Sequence, residues 1–251
     1  MPSPPASQPL DTDASDVRSV VARYRRAERA VGWTLALLVV VAFLAAVVAI
    51  SFWPGVAVGA VIVVALRVPV FRRRGSTRLR TDASPGAVVR RFGSARPPNL
   101  AFQWGVADEV RSAADTAAST DAATDRSAPG TDATYEFSYL LGLKSVELDL
   151  SVDVSGRDAV DDAAVGESDS DHPPVATVEI EGTADGRPWA SYAATVRETT
   201  DGGTVVDLEL RPTRRFGLRR LPQGRVAERY YAEALAAQGY EVVERSVSMT
   251  R

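Results

Sequence analysis

Tyrosines and arginines are the residues of this sequence with the clearest capacity to bind a ligand. The chain has no cysteine and one histidine, His172, which lies in an acidic stretch rich in Ser and Asp. Thiol nucleophiles and thiolate zinc sites are therefore excluded, and His172 is interpreted as a solvated loop residue. Most carboxylates fall at outward strand positions or in loops. We therefore expect no catalytic residue, no metal site and no cofactor.

Five tyrosines are candidates for contact with a ligand, because a phenol combines an apolar ring with a hydroxyl group that forms hydrogen bonds. They lie in segments that predict inward strand positions or one face of the last helix, where a cavity is expected. Packing in an ordinary aromatic core is the competing interpretation for each. The five are Tyr135, Tyr139, Tyr192, Tyr230 and Tyr231.

Two arginine clusters are candidates for contact with a membrane surface. Guanidinium groups pair with anionic headgroups, while Phe216 in the second cluster suits the interface. A solvated loop is the alternative for the second cluster. Nucleic acid is not expected as a partner, because the neighbouring acidic strands would repel phosphate. The candidates are Arg72, Arg73, Arg74, Arg214, Arg215, Phe216, Arg219 and Arg220.

An apolar segment at 31–71 determines how the rest of the chain is interpreted. Residues 31–53 carry no charge and are long enough to cross the ~30 Å hydrocarbon core as a helix. Residues 56–71 follow after Pro54 and Gly55, so the segment predicts a transmembrane helical hairpin. The alternatives are a buried helix pair and a secretory signal peptide. The second is disfavoured because the polar stretch before the segment and the apolar segment itself are both too long.

Arginines flank the apolar segment on both sides, from Arg23 to Arg29 and from Arg67 to Arg80. The positive-inside bias therefore predicts an integral protein of the cell membrane with both termini and the soluble domain in the cytoplasm. Gly55 and Gly59 have the spacing that lets helices approach closely. They predict packing within one chain or, alternatively, an oligomer formed through the transmembrane helices.

Composition separates the apolar segment and its flanks from the rest of the chain. Residues 81–251 hold 28 acidic and 18 basic residues, and Lys144 is the only lysine. An acidic, lysine-poor surface is typical of halophilic proteins, although biased codon usage is a partial alternative. We expect a disordered tail at 1–16, a basic juxtamembrane helix at 17–30 and one domain at 76–251. Flexible insertions are predicted within that domain at 113–132 and 158–174.

Alternating apolar residues predict five antiparallel strands, at 135–139, 146–154, 178–181, 190–196 and 206–210. Residues 76–82 and 240–249 are candidates for a first and a last strand. Residues 225–238 predict an amphipathic helix that ends at Gly239 and covers one face of the sheet. The predicted fold class is therefore α+β, with an antiparallel sheet covered by a long C-terminal helix.

The order of a strand, a Ser-Pro-capped helix, a run of strands and a long helix resembles the helix-grip fold of the START/polyketide-cyclase (SRPBCC) superfamily. Residues 80–88 (RTDASPGAV) are similar to the strand-to-helix opening of that group, and residues 226–235 to its terminal helix. The resemblance spans residues 76–239. It implies a hydrophobic cavity between sheet and helix that binds a lipid-like ligand, and it implies no catalytic residue.

Three functions follow from these patterns. The leading hypothesis is a membrane-anchored cytosolic module that binds a hydrophobic or lipid-like small molecule. The first alternative is a non-catalytic interaction or scaffold subunit of a membrane assembly, for which a solid core is expected. The second is a cyclase-like enzyme, which needs a polar group such as Tyr135 or Arg197 inside the cavity. The lipid bilayer is the expected partner in all three.

Overall fold

A computed structural model describes residues 11–112, 130–139, 144–156 and 173–250 of the chain. The predicted insertions lie outside these residues, apart from 130–132 and 173–174, and so do residues 1–10 of the predicted tail. Residues 11–16 form the start of a helix. The α+β class with a large antiparallel sheet is confirmed.

The described residues form five α-helices and nine strands. Short 3₁₀ turns at Pro98–Leu100 and Leu218–Arg220 precede the fourth and fifth helices. In chain order the elements are α1 (Asp11–Ala49), α2 (Phe52–Arg67), β1 (Pro69–Thr81), α3 (Pro85–Phe92), α4 (Ala101–Val106), β2 (Glu109–Ser112), β3 (Gly130–Tyr139), β4 (Lys144–Gly156), β5 (Ala176–Ala184), β6 (Arg187–Glu198), β7 (Thr204–Arg211), β8 (Arg215–Gly217), α5 (Leu221–Ala236) and β9 (Glu241–Thr250).

The nine strands form one antiparallel sheet in which the first strand occupies an interior position. The order runs β2-β3-β4-β5-β6-β7-β1. Strand β8 continues the β7 side of β1, with Phe71 opposite Phe216. Strand β9 pairs with the other side of β1. The five predicted strands and the two candidate strands are all present, and β1 and β9 are neighbours because the chain returns to β1 after α5.

Successive side chains of β1 point to opposite faces of the sheet, so every second side chain faces the helices. Leu79 and Thr77 are buried on the inner face, whereas Arg78 and Arg80 are exposed on the outer face. Counting back from Leu79 in steps of two reaches Gly75 and Arg73, which are partly buried on the same inner face. This register places an arginine under the helices.

The β5–β6 connection is the predicted two-residue hairpin turn. Asp185 and Gly186 both have positive φ, at 49° and 70°. A turn with two left-handed residues matches the twist of the flanking strands, and Asp-Gly tolerates it well. The register shifts by one residue between Thr183 and Gly182, and beyond that shift Tyr192 lies opposite Ile180 on the inner face.

Helices α3, α4 and α5 cover the inner face of the sheet. Val88 and Phe92 of α3 are fully buried in the main core, and so is Leu235 of α5. Helix α5 ends as predicted, because Gly239 takes a positive φ of 80° and Tyr240 N–H donates to the Leu235 carbonyl at 3.0 Å. Tyr240 then packs its ring edge-on against Phe92, with centroids 5.8 Å apart.

The predicted transmembrane hairpin at 31–71 is wrong in that form. The long apolar element is one continuous helix of 39 residues, α1, which joins the predicted juxtamembrane helix and the first predicted span. Among the described residues only this helix is long and apolar enough to cross a membrane. The predicted second span also ends early, because Pro69 cannot continue a helix and Val68 is extended before it.

Helix α2 is a separate apolar helix of 16 residues that packs along the end of α1. A Cβ at Gly55 would lie 2.5 Å from Val47 Cγ2, and one at Gly59 would lie 3.0 Å from Phe43. The two glycines therefore serve close packing within one chain.

The first half of α1 packs against the soluble domain. Val17, Val20 and Val21 are buried against α4 and α5, and the Tyr24 ring lies 4.5 Å from that of Phe102. Arg23 pairs with Glu233 at 2.9 Å. The apolar stripe predicted at 17–24 therefore faces protein.

Candidate functional site

A cavity of about 100 Å³ lies between the inner face of the sheet and helices α4 and α5. Strands β1, β6, β7 and β9 form its floor, so residues far apart in sequence meet there. The apolar part of its wall comes from Phe102, Leu208, Leu210, Ala227 and Val247. The polar part comes from Arg73, Thr77, Asn99, Gln103, Tyr192, Tyr231 and Arg245.

Glu228 of α5 pairs with two arginines beside this cavity. Arg73 donates through Nη2 to Glu228 Oε1, and Arg245 Nε donates to Glu228 Oε2 at 2.6 Å. The Arg245 guanidinium also lies 3.7 Å above the centre of the Tyr231 ring and donates to Thr77 at 3.2 Å. Such cation–π stacking favours a fixed guanidinium. One carboxylate against two guanidinium groups leaves this cluster with a positive charge.

Four buried side-chain atoms have no hydrogen-bond partner within the described residues, and all four belong to residues that line this cavity. They are Arg73 Nε, Asn99 Nδ2, Asn99 Oδ1 and Gln103 Oε1. Asn99 is only 4% exposed. A buried polar atom without a partner costs about 1–3 kcal/mol. Because the four atoms lie around one cavity, a polar group placed there could form hydrogen bonds with them.

The two phenols of the cavity remain protonated at neutral pH. Burial raises the pKa of Tyr192. Burial also raises the pKa of Tyr231, although Arg245 opposes that shift. Both hydroxyl groups therefore keep a proton that they can donate in a hydrogen bond, and both are poor general bases.

The five predicted ligand-binding tyrosines divide between several environments. Tyr192 and Tyr231 line the cavity. Tyr135 is buried in the main core and donates to the Ala95 carbonyl at 2.8 Å, while Tyr230 faces Tyr24 of α1. Tyr139 is the last residue of β3, and its side chain lies outside the described atoms.

The groups proposed for a cyclase-like enzyme do not line the cavity. Tyr135 is already bonded to Ala95 in the core. Arg197 alternates with the inward Val196 and pairs with Asp207 on the outer face of the sheet. In the described part of the chain, no group of His, Asp or Glu side chains has an arrangement that holds a metal ion.

The predicted membrane-contact residues gather near the end of α2, with one exception. Gly217 lies against Leu66 and Val68, which places β8 and the following 3₁₀ turn beside the end of α2. Arg72, Arg74, Arg215 and Arg220 are exposed there, whereas Arg214 and Phe216 are partly buried. Burial and the nearby Arg220 lower the pKa of Arg214. The side chain of Arg219 lies outside the described atoms.

Arg73 is the exception, because it faces inward and pairs with Glu228. Its parity with Leu79 and Thr77 is the sequence signal that would have placed it on the inner face.

The sequence interpretation missed Asn99, Gln103, Glu228 and Arg245 as candidate site residues. For Glu228 a signal exists, because it precedes Tyr231 by three positions and Leu235 by seven on one helical face. For Asn99 the sequence offers only its position after two prolines, which indicates a turn and not a cavity.

A wider groove of about 430 Å³ lies between α5 and the adjoining ends of β1 and β9. Ala232, Ala236 and Val242 contribute to its wall, and it is more open to solvent than the polar cavity. It provides a useful control site on the same helix.

The described residues form an α+β domain with one helix long and apolar enough to cross a membrane and a cavity with a partly polar wall beneath α5. Comparison with known proteins found no matching family model and no matching curated protein. The function is therefore argued from the geometry of the cavity.

Proposed function

We propose that this protein is a membrane-anchored cytosolic module that binds a lipid-like amphiphile, with the polar head of the ligand in the cavity between the sheet and α5. The observation that carries the proposal is the set of four buried polar atoms without partners around one cavity. Sites for whole drug-sized ligands measure roughly 300–1,000 Å³. The cavity of about 100 Å³ therefore suits a head group, with the apolar remainder of the ligand outside it.

The exposed apolar surface of α1 and α2 supports the membrane anchor. Large side chains project outward over residues 33–64, among them Trp33, Leu37, Leu44, Trp53 and Val61. A patch of this size is unfavourable in water and favourable in hydrocarbon. Residues 31–49 of α1 span roughly 28 Å at 1.5 Å per residue, which is close to the thickness of a bilayer core.

Contacts of the first half of α1 support a cytoplasmic domain. Because Val17 and Val21 pack on α4 and α5, the start of α1 and the domain lie on the same side of the membrane, and α2, which packs along the end of α1, leads the chain back to that side. The arginines near the start of the apolar stretch and at the end of α2 favour the cytoplasmic side.

The element order supports a helix-grip-like architecture. Strand β1, helix α3, the run from β2 to β7 and helix α5 follow the order on which the resemblance depends. Strand β9 is an addition beyond it. In this architecture the cavity beneath α5 is the expected ligand site.

Mass spectrometry of small molecules extracted from purified full-length protein tests the proposal. Ala227→Phe, which fills the cavity, is expected to remove a co-purifying amphiphile that the unaltered protein retains. Ala232→Phe places the same ring on the exposed groove of α5 and is expected to retain it. If only Ala232→Phe lacked the co-purifying amphiphile, the ligand site would be the groove and not the cavity. If no sample contained a ligand, the result would favour the alternative of an interaction subunit.

A further inference from the structure

The unpartnered atoms of the cavity include both donors and acceptors. Arg73 Nε and Asn99 Nδ2 are donors, whereas Asn99 Oδ1 and Gln103 Oε1 are acceptors. A purely apolar ligand satisfies none of them. A bare anion satisfies only the donors, because it carries no hydrogen to give.

The positive charge of the cluster formed by Arg73, Arg245 and Glu228 determines which chemical groups of a ligand can bind in the cavity. Arg73 and Arg245 share the single carboxylate of Glu228, so the cavity favours an anionic oxygen next to Arg73 Nε. The same two guanidinium groups disfavour an ammonium group as the donor to Asn99 and Gln103. A neutral hydroxyl group meets both requirements.

The size of the cavity limits how much of the ligand enters. A volume of about 100 Å³ is well below the roughly 300–1,000 Å³ of sites that hold a whole drug-sized ligand. This is enough for an anionic group and one neighbouring hydroxyl group.

Resting on the proposed function, we infer that the cavity recognises an anionic oxygen group adjacent to a hydroxyl group, as in a polyol phosphate or a hydroxy acid. Arg73 Nε and Asn99 Nδ2 donate to the anionic oxygens. The hydroxyl group donates to Asn99 Oδ1 or Gln103 Oε1. Tyr192 and Tyr231 close the site from the sheet and from α5. A soluble polyol phosphate and the phosphoglycerol head of a membrane lipid share this chemistry.

Binding to full-length protein in a neutral detergent tests the inference and separates the two sources. The probes are glycerol 3-phosphate, phosphatidylglycerol, phosphatidylcholine and glycerol, and the readouts are calorimetric affinity and the shift in melting temperature. We expect binding of phosphatidylglycerol, glycerol 3-phosphate or both, and none of phosphatidylcholine or glycerol. Binding of glycerol 3-phosphate with an affinity equal to or above that of the lipid would identify a soluble ligand and would overturn the lipid-like ligand of the proposed function. Tighter binding of the lipid, or binding of the lipid alone, would identify a lipid head group.

Asn99→Leu is the decisive variant, because it keeps approximate volume and removes both unpartnered amide atoms. We expect affinity to fall about 10- to 100-fold, the loss typical of hydrogen bonds to charged groups. Gln103→Leu tests the acceptor alone, and Gln223→Leu at the start of α5 is the matched control. Unchanged binding in both cavity variants would overturn the inference, even if Asn99→Leu alters stability.

The failure of this inference is distinguishable from failure of the proposed function. If neither anionic probe binds while Ala227→Phe still removes a neutral co-purifying compound, the assigned ligand class is wrong and the binding module stands. If no probe binds and nothing co-purifies, both are overturned.

Discussion

Two carboxylates on opposite faces of the sheet each pair with two arginines, and their surroundings differ. Asp207 on the outer face pairs with Arg78 at 2.8 Å and with Arg197, whereas Glu228 pairs with Arg73 and Arg245 on the inner face. Both carboxylate side chains are 31% exposed. Only the inner cluster retains a buried guanidinium nitrogen without a partner among the described residues. On the outer face the ion pairs therefore only link neighbouring strands. On the inner face they leave Arg73 Nε able to donate a hydrogen bond to a ligand.

The largest expected effect comes from placing a charge under α5. Leu235 is 1% exposed in the main core, so Leu235→Asp buries a carboxylate with no cationic partner assigned to it. We expect a loss of at least about 3 kcal/mol in the free energy of unfolding. Thermal melts of the full-length protein in high salt provide the measurement.

Glu233→Lys is the control on the same helix. Glu233 is exposed and pairs only at the surface with Arg23, so the change should cost no more than about 1 kcal/mol. Equal, small effects of the two substitutions would contradict the inner position of α5.

Removing each bridging carboxylate compares the two faces directly. Glu228→Gln leaves two partly buried arginines without their anion, and we expect a loss of about 2 kcal/mol in the free energy of unfolding. Asp207→Asn leaves the exposed Arg78 and the partly buried Arg197, and we expect a loss of about 1 kcal/mol. Only Glu228→Gln should also change affinity for an anionic ligand, because Asp207 lies on the opposite face. An equal change in affinity for both variants, measured by calorimetry, would contradict the claim that only the inner face binds the ligand.

High pH tests the phenols of the inner face. Burial raises the pKa of Tyr240 to about 12 despite the opposing charge of Arg91, whereas an unfolded tyrosine titrates near 10. Below about pH 10 both states keep the proton and stability is complete. Between about pH 10 and 12 the unfolded state loses its proton first, so stability falls by up to about 2 kcal/mol.

In Tyr240→Phe, the free energy of unfolding from urea melts is expected to fall less between pH 9 and pH 11.5 than in the unaltered protein. Part of the fall remains, because the other buried phenols also titrate. A decline of the same size in the variant would show that Tyr240 does not contribute.

The smallest expected change in stability has the opposite sign. Asn99→Leu removes two buried polar atoms that have no partner in the described chain, so the ligand-free protein should gain up to about 1 kcal/mol. Melting of delipidated protein measures this gain. A loss of more than about 1 kcal/mol would mean that Asn99 is already satisfied in the folded protein.

The sequence was most informative where a short local pattern is compatible with only one type of backbone structure. Alternation predicted the strands around Tyr192 and Leu208, Asp185-Gly186 predicted a hairpin, and Gly239 predicted the end of the last helix. Each depends on backbone preferences that neighbouring residues already determine.

The sequence was least informative where two environments favour the same residues. The stripe of Val17, Val20, Val21 and Tyr24 suits either a membrane surface or a protein groove, and the fold provides the groove. Arg73 lies outside the strand predicted at 76–82, so its parity with Leu79 became usable only once β1 was seen to extend back to Pro69. Asn99 becomes part of a site only when α4 and α5 close over β1.

Native mass spectrometry of the full-length protein released from detergent tests the central claim most directly. The unaltered protein and Asp207→Asn are expected to retain the same bound mass, because the outer face takes no part in binding. Ala227→Phe and Asn99→Leu are expected to lack it. The same bound mass at equal occupancy in all four proteins would contradict a ligand site in the cavity between the sheet and α5.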